Sequence, residues 1–325
     1  MIKLTLKDRK LLYELDLNSR QSVNELSRKI GVSKTAISYK INKFEQEGII
    51  RHFHTIVDAG KLGYISFRLY LTLENITPQK ELEIIEFLKN KKQVTWLVSI
   101  EGNYDIGALI LVKSVSEMNL IWKELLEKFN EYISKRFLTI MTRVNYYSRA
   151  FILNEKERNT FENNFITEPK ELPLEEKEIA LLQAIATNPR KSIIELASEI
   201  KTTPKTAIQK IKSLEKKGVI LGYRTAFDYK KLGYKYVKVM FRLNRTNNII
   251  EKRFQDYIKQ NPFIVYKDEV LGGEDIEIEL NVKNQEHLRE IMKEIKDNFG
   301  QIIKENKTLW YYKEHKYLFL PVIWH

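Results

Sequence analysis

The chain is an internal duplication, and this limits its fold more than any other feature. Asn18-Ser19-Arg20-Gln21-Ser22 returns as Asn188-Pro189-Arg190-Lys191-Ser192. Glu45-Gln46-Glu47-Gly48-Ile49-Ile50 returns as Glu215-Lys216-Lys217-Gly218-Val219-Ile220, and Leu62-Gly63-Tyr64 as Leu232-Gly233-Tyr234. Gly102 and Asp105 return as Gly272 and Asp275, so every landmark moves by 170 positions. A constant offset leaves no net insertion between landmarks. The fold is therefore one unit built twice.

Each unit opens with three amphipathic segments. Leu11, Leu12 and Leu15 mark a first helix. Ser22 and Glu25 form a capping box before a second helix with Val23, Leu26 and Ile30 on one face. Gly31 ends it, and Ser33 caps a third helix with Ile37, Ile41 and Phe44 inward. Two short helices, a tight turn and a third helix describe a helix-turn-helix. Ile49 to Asp58 then reads as a hairpin wing.

After the wing the apolar period switches from helical to alternating. Ile65, Phe67, Leu69, Leu71 and Leu73 predict a half-buried strand. Further strands are predicted at 94–100, 105–112 and 137–146, with helices over 78–90 and 116–129. The order β-α-β-β-α-β is that of a ferredoxin-like fold. The predicted class is α+β, with winged helix-turn-helix domains at 1–60 and 174–230 and ferredoxin-like domains at 61–153 and 231–325. Residues 154–173 are polar, carry Pro169 and Pro173, and read as a linker that is partly helical at its start.

These residues resemble the Lrp/AsnC family of prokaryotic transcription regulators. Asp8-Arg9-Lys10-Leu11-Leu12, Glu25-Leu26-Ser27, Gly31-Val32-Ser33, Lys40-Ile41, Asp58 and Gly102-Asn103-Tyr104-Asp105 carry the resemblance, together with the repeated segments above. It covers nearly the whole chain, twice. It implies double-stranded DNA as a partner, assembly through the sheets of the sensor domains, and an amino acid or similar small molecule as effector. Family members usually hold one unit, and here Lys201 replaces Gly31 in copy two.

In this motif class the third helix enters the major groove. Its outward residues are Lys34, Thr35, Ser38, Tyr39, Asn42 and Lys43, with Arg20 and Arg51 as phosphate clamps. Copy two presents Lys205, Gln209, Lys210 and Lys212, with Ile208 where copy one has Ser38, and Arg190 and Arg224 as backbone contacts. Gly102, Asn103, Tyr104 and Asp105, and Gly272, Gly273, Glu274 and Asp275, form either plain hairpin turns or, on the family resemblance, ligand loops whose glycines expose amides.

The net charge of +12 favours a polyanionic partner. Both helix-turn-helix segments are basic, with eleven Lys/Arg against seven Asp/Glu in 1–60 and again in 172–230. There is no cysteine, which excludes disulfides, thiol chemistry and zinc fingers. No apolar run spans a membrane, and the polar start is no signal peptide, so a cytoplasmic location is expected.

Two rival readings stand. One is an architectural protein that coats DNA. The other is an enzyme on the same fold, similar to the siroheme decarboxylases. Those resemble one another in a histidine-rich segment at strands two and three, whereas 95–102 and 266–273 here hold no histidine. His52 and His54 share a strand face and read as exposed polar residues, with no metal, cofactor or catalytic group expected. The sensor sheets of one chain are expected to pair with each other, the competing arrangement being copy one packed against copy one across two chains. The difficulty is that Leu109 and Leu111 would then oppose Glu277 and Glu279, which Lys238 or Arg242 must neutralise. Further assembly of whole chains is left open.

Overall fold

The computed structural model describes residues 3–153, 162–166, 169–186, 188–244, 247–318 and 320. In copy one the first helices are α1 (Leu6–Leu17), α2 (Val23–Ile30) and α3 (Lys34–Gln46), and in copy two α6 (Glu176–Ala186), α7 (Ile193–Glu199) and α8 (Pro204–Lys216). The capping boxes at Ser22/Glu25 and Ser192/Glu195 form, and Ser33 and Thr203 cap the third helices. Gly31 ends α2 in the left-handed conformation at φ +70, and Lys201 takes the same conformation at φ +50. A side chain pays steric energy there that glycine does not.

The expected hairpin wing does not form. The strand after α3, β1 (Ile50–Val57), pairs antiparallel with its counterpart β7 (Ile220–Phe227), so the two copies share one two-stranded ribbon. The last five residues of each strand are buried, whereas a hairpin arm would bare one face to water. A short turn at 60–62 then leads from β1 directly into the sensor domain, leaving no return strand. The ribbon joins the helical units symmetrically. Thr55 Oγ1 donates to the Ile185 carbonyl at 2.7 Å, and Thr225 Oγ1 to the Leu15 carbonyl at 2.8 Å.

The sensor domains contain β2 (Ile65–Leu73), α4 (Pro78–Asn90), β3 (Val94–Gly102), β4 (Ile106–Val112), α5 (Val115–Phe129) and β5 (Ile133–Tyr147) in copy one. Copy two repeats them as β8 (Lys235–Leu243), α9 (Asn248–Gln260), β9 (Ile264–Leu271), β10 (Ile276–Val282), α10 (Gln285–Phe299) and β11 (Ile303–Tyr317). Each sheet has the order β5-β2-β4-β3 or β11-β8-β10-β9. β11 pairs with β3, and β5 with β9, so the two sheets close into one ring of eight strands within the chain. Closure removes the free sheet edges. Part of the segment expected as a linker is strand β6 (Glu162–Ile166), which pairs with the end of β5. Its expected helical start lies outside the described residues.

The helical cores cross between copies. The α1–α3 core continues into Leu232, Tyr234 and Val265 of copy two. The α6–α8 core continues into Leu62, Tyr64 and Leu111 of copy one. Lys231 of copy two donates to the Glu47 carbonyl at the end of α3, and Lys61 of copy one to the Lys217 carbonyl at the end of α8 at 2.8 Å. A cation there offsets the negative end of the helix dipole.

His52 and His54 are not exposed polar residues. Their rings lie 5.7 Å apart and each packs within 5.6 Å of Tyr317, with His54 fully buried. Burial and the neighbouring Arg51 push His52 from the usual 6.5 down to about 4, and burial pushes His54 well below its usual value. Both are neutral in the fold, while the unfolded chain takes up protons near pH 6.5. The unfolded state therefore binds more protons below that pH, and stability falls as pH drops from 6.5 toward 4. Urea unfolding at about pH 7.5 and about pH 5 is expected to show this loss, and His54→Gln to shrink the difference between the two pH values. An unchanged difference in the variant would mean that His54 is protonated in the fold.

Candidate nucleic-acid interface

On α3, Lys34, Thr35, Tyr39, Asn42 and Lys43 are exposed and Ser38 is half-exposed, because Ile37, Ile41 and Phe44 hold the opposite face in the core. Tyr39 is 66% exposed, and Ile208 on α8 is 41% exposed, so each helix presents a large apolar group to solvent. Lys205, Gln209 and Lys212 are also exposed. Lys43 lies 3.8 Å from Glu47 on its own helix, a weak surface pair that leaves the ammonium available.

The other expected contacts lie elsewhere. Lys210 pairs with Glu175 at 2.6 Å, and its side chain is only 14% exposed. Arg20 and Arg190 cross-brace the two helical units. Arg20 donates to the Pro189 carbonyl, and Arg190 to the Ser19 carbonyl at 2.6 Å and the Gln21 carbonyl at 3.3 Å. Arg51 pairs with Glu314 of β11 at 2.6 Å. Arg224 is buried, donates to the Tyr147 carbonyl at 2.8 Å and lies 3.5 Å from Asp16. A basic residue flanking a helix-turn-helix resembles a phosphate clamp only while the partner surface is unknown. Here each of the four arginines meets a carbonyl or carboxylate of the opposite copy.

The two sensor loops are tied into the barrel. Tyr104 stacks on Tyr70 with ring centres 5.0 Å apart, and Thr72 Oγ1 donates to the Asn103 carbonyl at 3.1 Å. Asp105 accepts from the Leu73 amide and Asp275 from the Leu243 amide, each at 2.7 Å. Glu274 accepts from Arg242 at 3.1 Å and from Lys307 at 2.6 Å. A Cβ on Gly102 would lie 2.7 Å from the Thr308 carbonyl, and one on Gly273 2.6 Å from Val270. These two glycines allow close packing, and the acidic groups already have partners.

Inside the barrel Arg68, Lys238, Asp268, Glu277 and Glu279 meet out of water. Lys238 Nζ lies 2.7 Å from Glu277, 2.8 Å from Asp268 and 3.2 Å from Glu279. Arg68 of copy one reaches Asp268 at 3.3 Å and Glu279 at 3.7 Å. Lys238 thus neutralises the opposed carboxylates as the charge pattern required, whereas Arg242 sits beside Glu274 at the barrel rim. The contribution of Arg68 was not legible, because it sits among apolar residues on its strand.

A family model described as winged helix-turn-helix DNA-binding matches residues 4–51 and 174–220. An HTH-type transcriptional regulator of Pyrococcus furiosus is 30% identical over 146 residues, which is 97% of its length and 44% of this chain. The chain belongs to the Lrp/AsnC family of transcription regulators. Another similar protein, a proline dehydrogenase transcriptional activator of Rhodobacter capsulatus, is 31% identical over 77% of its length and 36% of this chain. Each of these two relatives spans less than half of this chain, about one copy of the unit. A likeness over the whole duplicated chain is seen in the crystal structure of the siroheme decarboxylase NirDL, with a TM-score of 0.64. It is 15% identical, covering 97% of this chain and 94% of that one, and shows the shared tandem fold. Among the described residues, no helix is long and apolar enough to cross a membrane, and no group of three or more His, Cys, Asp or Glu side chains is arranged to hold a metal ion.

Proposed function

We propose that this Lrp/AsnC member is a regulator that reads DNA with α3 and α8 as two unlike halves of one asymmetric unit. It works without catalysis and under the control of a small-molecule effector. The observation that carries this reading is the pair of exposed third-helix faces. Thr35, Ser38 and Tyr39 stand on one, and Lys205, Ile208 and Gln209 on the other. Holding Tyr39 and Ile208 in water gains nothing for the fold, whereas both can pack on sugar or thymine methyl groups. The chain's positive charge supports binding through counterion release.

Replacing Lys34 and Lys43 together by alanine is expected to weaken duplex DNA binding and flatten its salt dependence. The log–log slope should fall by roughly one per lost phosphate contact. Fluorescence anisotropy over a salt series measures both quantities, and an unchanged slope in the double variant would overturn the assignment. A motif selected from random duplexes should contain two unlike half-sites about one helical turn or a multiple of it apart. A perfect palindrome would mean that identical helices of two chains meet instead.

A further inference from the structure

Two cavities lie at the junction of the ribbon and the barrel; they share Trp96 and Tyr236, several of their other walls are positions that the duplication relates, and they have diverged. One encloses about 640 Å³ and the other about 110 Å³. The larger falls in the range of sites for small organic ligands. Tyr229, Tyr236 and Tyr311 line it where the smaller cavity has Ala59, Ser66 and Met141. Trp310 and Lys235 also line it, and copy one has Ile140 and Ile65 at those positions. A fused chain can change one cavity and keep the other, which identical subunits cannot do. The wide, aromatic cavity is the one that the second copy shaped.

Its charges state what it can hold. Arg51 is neutralised by Glu314, which also accepts from Trp96 Nε1 at 3.1 Å. Asp228 accepts from the Lys231 amide at 3.1 Å. Lys230, Lys235 and Lys313 line the cavity together with the exposed Glu101, which stands opposite Trp310; Lys230 donates to the Tyr312 carbonyl at 2.8 Å, and no ion pair engages any of the three lysines among the described residues. Lys235 Nζ sits 5.9 Å from the centre of the Trp310 ring. The lining holds four cationic side chains against three carboxylates, and flat aromatic walls with one positive charge in excess suit a planar ring that carries an anion.

We propose that this cavity is an effector site, one per chain, for a planar aromatic carboxylate. The assignment rests on the regulator reading given above. Arg51 comes from ribbon strand β1, Phe227 ends ribbon strand β7 and Asp228 to Lys230 follow it directly, while the remaining walls belong to Tyr234, β3, β8, β11 and the start of α10. A ligand there touches the ribbon that joins the two DNA-reading units and the barrel below it. Ligand affinity and DNA affinity are then coupled reciprocally.

Calorimetric titration of the full chain with 2-naphthoate, beside its uncharged counterpart 2-naphthalenemethanol, tests this. One naphthoate per chain is expected. Trp310→Ile should weaken both compounds roughly tenfold, equivalent to about 1.4 kcal/mol. Lys235→Ile, at an exposed position that leaves the fold intact, should weaken naphthoate while sparing the alcohol. Absence of binding at millimolar concentration, two equal sites, or a Lys235→Ile variant that binds naphthoate like the parent would overturn the proposal. DNA binding is measured on the same samples. A chain that binds its duplex and no naphthoate sinks the cavity assignment alone. Naphthoate binding that Lys235→Ile weakens, in a chain that binds no DNA, upholds the site and sinks the regulator reading.

Discussion

Lys238→Met is expected to lower the unfolding free energy by about 3–5 kcal/mol, the usual cost of stripping one partner from a buried ion pair. Lys238 is completely buried, and burial opposes its charge. The surrounding carboxylates outweigh this and hold its ammonium well above the ordinary lysine range. Without it, Arg68 alone faces Asp268, Glu277 and Glu279 in a barrel whose other half is Tyr70, Trp96 and Val98. Burial already pushes the Glu277 carboxyl up. The penalty should therefore shrink as pH falls and that carboxyl takes a proton. Adding Glu277→Leu and Glu279→Leu to Lys238→Met leaves one balanced pair, Arg68 with Asp268, and should recover most of the loss. Urea titration at neutral and mildly acidic pH measures these differences. A loss below about 1 kcal/mol for the single variant would place the cluster in water.

Asp16→Ala is expected to cost a similar amount, about 3–5 kcal/mol, with a different distribution through the molecule. Asp16 is fully buried at the end of α1 and pairs with the Arg149 guanidinium, while one of its oxygens accepts from the Arg149 amide at 2.8 Å. Arg224 of ribbon strand β7 lies 3.5 Å away. One carboxylate thus ties together the first helical unit, the ribbon and the segment after β5, and its removal leaves two buried guanidinium groups facing each other. Copy two has Ala186 where copy one has Asp16, and copy one has His54 where copy two has Arg224. The lock therefore exists on one side only. Hydrogen exchange should accelerate in α1–α3 and the ribbon more than in α9 and α10. Uniform acceleration, or none, would show that Asp16 does not join these parts. Asp16→Asn keeps the acceptor for the Arg149 amide and loses the charge, so it separates the two contributions.

The elements that rest on local rules were legible in the residues. Ser22 with Glu25, and Ser192 with Glu195, cap helices because a hydroxyl and a carboxylate at that spacing satisfy free amides wherever they occur. The α3 face follows from Ile37, Ile41 and Phe44 at helical spacing. The ferredoxin-like order follows from the switch to alternating apolar residues. Even the charges of the sensor sheets could be read, because Glu279 stands directly opposite Lys238 on the neighbouring strand and Glu277 lies two residues away on the same face.

Which copy each element meets was decided by the tertiary structure alone. Nothing within 49–58 distinguishes a hairpin arm from a strand that pairs 170 residues away, since backbone hydrogen bonds carry no residue identity. For the same reason Arg20, Arg51, Arg190 and Arg224 looked like phosphate clamps. A guanidinium binds a carbonyl or a carboxylate as readily as a phosphate, and the choice depends on what the opposite copy brings within reach. By itself, the sequence of this protein determined that one unit is built twice, which faces are apolar, and which side chains of the third helices stay in water. Closure of the barrel, the crossing of the helical cores and the divergence of the two cavities were set by packing between copies, because long-range contacts depend on shape and burial that no local pattern encodes.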